Sequence, residues 1–117
     1  MQISERTNGD VVVVDVSGKI TLGDGGDAAL KEKMRSLVQS GHKKLLLNLG
    51  DVAYVDSAGL GEIVQAYATV NKNGGTLKLL NVTKRIKDLL SITKLLTVFD
   101  TFDNENEAVR SFNSKPA

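Results

Sequence analysis

The 117-residue chain has no cysteine and no tryptophan, one proline and 4% aromatic residues. Without cysteine there is no disulfide scaffold, no thiol nucleophile and no thiolate for a metal. A chain of this length buries one continuous core without such staples, and is too short for two. Net charge is +1, so no global field draws the chain to nucleic acid or to an anionic membrane. The scarcity of aromatics also leaves little for base stacking. No apolar run approaches the roughly 20 residues that cross a bilayer, and the polar start Met1-Gln2-Ile3-Ser4-Glu5 is unlike a signal peptide. The expected setting is a reducing cytoplasm, with no cofactor, no metal, no nucleic acid and no membrane partner.

What is present is an alternating string of strand and helix patterns, without internal repeats or low-complexity tracts. Val11-Val12-Val13-Val14-Asp15-Val16 is short, β-branched and bounded by glycines, which predicts a strand. Ile3 to Thr7 pairs with it as an edge strand through Asn8-Gly9, a dipeptide that hairpins favour. Gly23-Asp24-Gly25-Gly26 breaks the chain. Leu30, Met34, Leu37 and Val38 then recur at helical spacing, and Gly41 stands where a helix-ending glycine belongs. Leu45-Leu46-Leu47-Asn48-Leu49 is too short for a helix and suits a central strand buried on both faces.

A second helix starts near Ser57, with Leu60, Ile63, Val64, Tyr67 and Val70 on one stripe and Glu62, Gln65, Thr69 and Lys72 away from it. It ends at Gly74-Gly75. Leu77 to Leu80 returns to the sheet, and a short helix after Thr83 uses Ile86, Leu89 and Leu90. Val98-Phe99 is expected as a last edge strand. Asn104 with Glu107 resembles a capping box for a helix carrying Val109 and Phe112. The pattern implies an α/β domain: a mixed sheet of four to five strands with about four helices packed on it. It spans residues 1–112, and 113–117 form a fraying tail.

The informative stretch is Asp56-Ser57-Ala58-Gly59-Leu60-Gly61, where a connection from a buried strand enters a helix. Either Asp56 or Ser57 can cap that helix, since each carries an oxygen able to accept a first-turn N–H. Two glycines in one turn need a reason, because each costs about 1 kcal/mol against alanine. Bare backbone at Gly59 and Gly61 lets a partner chain or a neighbouring strand approach closely. A phosphate on Ser57 would add roughly −1.5 to −2 charges at a helix start that favours anions. It would leave its own fold in place and charge a surface that a partner must desolvate.

These six residues resemble the Asp-Ser-x-Gly-Leu-Gly signature of bacterial anti-sigma factor antagonists, which are STAS domains. The likeness extends over most of the chain, through the Val-rich strand, Ser17-Gly18-Lys19-Ile20, the Leu-rich strands, Gly74-Gly75 and Leu89-Leu90-Ser91-Ile92-Thr93-Lys94-Leu95. In that family the serine after the aspartate is phosphorylated by an ATP-dependent kinase that is itself the anti-sigma factor. The dephosphorylated protein binds that kinase and frees the sigma factor, and a serine phosphatase resets the system. The resemblance therefore implies no enzyme activity, Ser57 as phosphoacceptor, and a monomer or weak dimer. It implies a partner surface of Thr21, Asp56, Ser57, Ala58, Gly59, Leu60 and Gly61. Thr21 stands where many relatives carry an acidic residue facing the kinase, and the Gly23–Gly26 turn is unusually rich in glycine.

Other features have plainer readings. Gly23-Asp24-Gly25-Gly26 lacks the Lys-Ser/Thr ending of a P-loop and reads as a surface turn. His42, Asp56 and Ser57 suggest a hydrolase triad only on paper, since Ser57 lacks the nucleophile elbow and His42 belongs at the opposite sheet end. Lys84, Arg85, Lys87 and Lys94 read as a solvated face, and Leu89, Leu90, Leu95 and Leu96 as core with room for an exposed apolar patch. Asp15-Val16-Ser17-Gly18 supplies no acidic pair, which argues against a phospho-aspartate receiver. The alternative role for the same fold is an unphosphorylated scaffold or transport-system subunit.

Overall fold

The four consecutive valines at the start of the second strand are all buried, because alternate side chains enter separate apolar clusters on the two faces of a sheet. The computed structural model describes residues 2–21 and 29–113. The first two strands, β1 (Gln2–Asn8) and β2 (Val11–Ile20), form an antiparallel hairpin. Its two-residue turn is Gly9-Asp10, one position later than Asn8-Gly9. Gly9 takes φ +64° at the first central position, which glycine adopts without strain. After α1 (Ala29–Gln39) come β3 (Lys44–Val55), α2 (Ser57–Lys72), β4 (Thr76–Leu80), α3 (Lys84–Ile92), β5 (Thr101–Phe102) and α4 (Glu105–Asn113). The five strands lie in sequence order, with every pair after the first hairpin parallel. This is the expected mixed α/β sheet.

Helices α1, α2 and α3 bury Leu30, Met34, Leu37, Leu60, Ile63, Val70, Ile86 and Leu90 against Val12, Val14, Val16, Leu45, Leu47 and Leu49 on one face. On the other face α4 covers Val11, Val13, Leu46 and Leu80 with Ala108, Val109 and Phe112. Arg6 fastens it there. Its guanidinium donates to Asp15 Oδ2 at 2.8 Å and to Glu105 Oε2 at 2.7 Å. Asn104 caps α4, accepting from the Glu107 N–H at 3.0 Å.

The structure differs from the sequence pattern in several places. The third strand does not stop near Leu49. Having lost β4 as a neighbour after Asn48, it continues alongside β2 to the Ile20–Val55 pair, with Val52 and Val55 still turned into the core. Val98-Phe99 is not the edge strand. Leu95 to Val98 form a turn, Phe99 drops into the core with its ring edge-on to Tyr67 at 5.0 Å, and pairing begins only at Thr101. Glu62 is buried, only 6% exposed. It lies three residues after Gly59 and four before Ala66, both buried, and so shares the inward side of α2. Helix α4 takes in Asn113. The rest of the expected tail and the Gly23–Gly26 turn lie outside the described residues.

Candidate functional site

The carboxyl ends of β2, β3 and β4 share one end of the sheet, where an open α/β sheet places its functional loops. Strand β3 enters that end with Val55 anchored in the core and Tyr54 39% exposed. Asp56 then leaves helical geometry, with φ −97° and ψ −177°, and serves as the cap of α2. Its Oδ1 accepts from the Gly59 N–H at 2.7 Å, and its carbonyl accepts from the Leu60 N–H at 2.9 Å. The ambiguity in the sequence is thereby resolved. Ser57 is the first residue of the helix, exposed, and free of cap duty.

The two glycines do different things. A Cβ on Gly59 would sit 1.8 Å from the carbonyl oxygen of Ile20 and 2.7 Å from its carbon, so only a bare backbone lets α2 pack on the end of β2. A Cβ on Gly61 would meet nothing within 4 Å. Among the described residues, the close neighbour of Gly59 is the protein's own strand, whereas Gly61 is dispensable for packing.

Thr21, half-buried, follows Ile20 directly and so lies at the edge of the same helical turn. Ala58 is exposed beside Ser57, and Gly61 is half-buried one helical turn on. Leu60 is only 4% exposed and Gly59 is buried. Of the expected partner surface, Thr21, Asp56, Ser57, Ala58 and Gly61 reach solvent. Gly59 and Leu60 are buried, because the helix must turn this side inward to bury its apolar stripe.

Sequence reasoning missed two members of this corner. The Arg85 Nε–H donates to the Val55 carbonyl at 3.2 Å, and the guanidinium lies 4.8 Å from the centre of the Tyr54 ring. Thirty residues separate Arg85 from Val55. No spacing rule pairs them, and Arg85 read as one more solvated cation. Lys84, Lys87 and Lys94 are exposed, as expected.

His42 is exposed beyond the opposite end of β3, about 35 Å of strand from Ser57, which removes the triad. Among the described residues no group of three or more histidine, cysteine or acidic side chains could hold a metal, and no helix is long and apolar enough to cross a membrane. The leucine pairs divide. Leu90 is core, Leu89 and Leu95 pack at its margin, and Leu96 is exposed with Ile92 and Val98 at the far end of α3.

Comparison with known proteins bears on this geometry. The STAS domain family matches residues 2–108. An anti-sigma-B factor antagonist of Bacillus subtilis (strain 168) is 34% identical over 100 residues, covering 86% of this chain and 89% of its own. Among solved structures, an anti-sigma factor antagonist from Mycobacterium paratuberculosis superposes with a TM-score of 0.81 at 20% identity, covering 97% of this chain and 94% of that one. The anti-sigma factor antagonist SpoIIAA in its unphosphorylated form superposes at 0.78 and 15% identity, covering 99% of this chain and all of that one. At those identities the structures speak for the fold.

Proposed function

This chain belongs to the STAS-domain family of anti-sigma factor antagonists, a family of non-catalytic regulators, and on that premise we propose that it works as a phosphorylation-switched antagonist. In this reading the dephosphorylated protein binds a serine-kinase anti-sigma factor in the cytoplasm and releases the sigma factor. Transfer of the ATP γ-phosphate to Ser57 ends that binding, and a serine phosphatase restores it.

The observation that carries the reading is the exposed hydroxyl at the first position of α2, with Asp56 acting as cap. A phosphate there needs no change in the cap, and the first-turn N–H groups favour an anion. The cost falls on the partner. Roughly −1.5 to −2 charges beside Asp56 would have to be desolvated in the interface, which by analogy with disrupted interfacial charge pairs costs about 2–5 kcal/mol. The exposed Ala58 and the open space over Gly61 offer a partner backbone a close approach along the same side of the helix.

The test combines the purified chain with the kinase encoded beside it and ATP, then maps the modification by mass spectrometry. Ser57→Ala should stay unmodified and keep the kinase in a pull-down, and Ser57→Asp should lose it. Phosphate on another residue, or none, would refute the mechanism. An unmodified intact mass from the native host under every condition would favour the scaffold or transport-subunit role instead.

A further inference from the structure

We infer that Arg85 is the protein's own receptor for the phosphate on Ser57. The inference rests on Ser57 being the phosphate acceptor and assigns a role to a residue outside the signature. An arginine on α3 is held by two contacts at the end of β3, through its Nε–H to the Val55 carbonyl and by stacking over Tyr54. Val55 is two residues before Ser57, about 7 Å of extended chain. Fixing Nε in this way leaves the outer edge of the guanidinium with both terminal nitrogens as donors. Among the described residues no protein acceptor engages those two nitrogens, and the residue is exposed.

The same contacts argue against a purely structural role. A side chain needed only to tie α3 to β3 could do so with one donor, and the aromatic face adds a rigid platform that holds a cation in place. Arginine carries the planar fork that meets phosphate oxygens in pairs. The flanking elements carry Asp51 on β3, Asp56 ahead of α2, Glu62 on α2 and Asp88 on α3, and a carboxylate near a phosphate works against it, which a fixed cation offsets. Among the described residues no hydrogen bond or ring contact anchors Lys84, which is next to Arg85 and also exposed, and it serves as the internal control.

The experiment places phosphoserine at position 57 during synthesis, without any kinase, and follows its second ionisation by ³¹P NMR. The ordinary value is about 6. A nearby arginine favours the dianion, so Arg85→Gln should raise the midpoint by about half a unit, Arg85→Lys should recover part of the shift, and Lys84→Gln should change it little. Circular dichroism verifies that each variant is folded. Equal midpoints in wild type and Arg85→Gln, or equal shifts from Arg85→Gln and Lys84→Gln, would overturn the inference. Because the phosphate is installed chemically, this result is separate from the kinase test. An Arg85-dependent shift with no kinase modification would sink the proposed function while showing that Arg85 still holds a phosphate installed at position 57.

Discussion

Two glycines in one helical turn should respond to alanine in opposite directions. At Gly59 the new methyl carbon would lie 1.8 Å from the Ile20 carbonyl oxygen, a backbone atom that cannot swing aside as a side chain can. Overpacking of this kind costs about 1–3 kcal/mol and more when backbone must move. With a backbone clash this close the cost is taken at about 3–4 kcal/mol; helix propensity returns about 1 kcal/mol, so a net loss of about 2–3 kcal/mol is expected. At Gly61 nothing among the described residues lies within 4 Å of the added carbon, and the propensity gain of about 1 kcal/mol stands alone. For a domain near this size 1 kcal/mol moves the melting temperature by about 4 °C. Gly59→Ala should therefore melt about 10 °C below wild type, and Gly61→Ala about 4 °C above it. Thermal and urea unfolding followed by far-UV circular dichroism would read both. Gly61→Ala should also bind the kinase more weakly while being the more stable protein. A destabilised Gly61→Ala, or a Gly59→Ala as stable as wild type, would refute the assignment of the first glycine to the fold and the second to an outside contact.

Asp56→Ala removes the acceptor for the Gly59 N–H and should cost about 1 kcal/mol in urea unfolding, with Asp56→Asn recovering most of it. Phe99→Ala should cost about 3–5 kcal/mol, because it empties a core site and removes the edge-on contact to Tyr67; a loss below 1 kcal/mol would return Phe99 to an exposed edge. The Glu105 carboxyl is held down to about 2, chiefly by hydrogen bonds from Arg6, against an ordinary value of 4.5. Its folded value is lower than its unfolded one, so its contribution is present above pH 4.5 and is lost as pH falls toward 2. Solvent screens this half-exposed pair, so Arg6→Met should cost only about 1 kcal/mol at pH 7 and flatten part of the acid limb of stability against pH.

Much of the fold was legible because helix and strand periods are local. Leu30, Met34, Leu37 and Val38 declare α1 within nine residues, and all four are buried. The valine and leucine runs are long enough to fill both faces of a central sheet and too short for anything else. Errors arose where a local signal had two meanings. Gly50-Asp51 looks like a strand end, yet β3 continues because β2 remains beside it. Val98-Phe99 has strand residues, but a turn just before it sends the ring of Phe99 inward. Glu62 reads as solvent-facing because charge normally is, and how far around α2 the neighbouring elements reach is not written in its own spacing.

The sequence by itself determined the order of strands and helices, the start of a helix at Asp56-Ser57, and a serine there suited to carry a charge. Those follow from side-chain chemistry acting over three or four residues. Only the tertiary structure decided that Asp56 is the cap, that Gly59 yields to Ile20 while an added carbon at Gly61 meets nothing among the described residues, and that Arg85 comes to rest beside Tyr54 and Val55. These depend on how parallel strands register and where the crossover helices land, and no spacing within the chain encodes a distance between segments thirty residues apart.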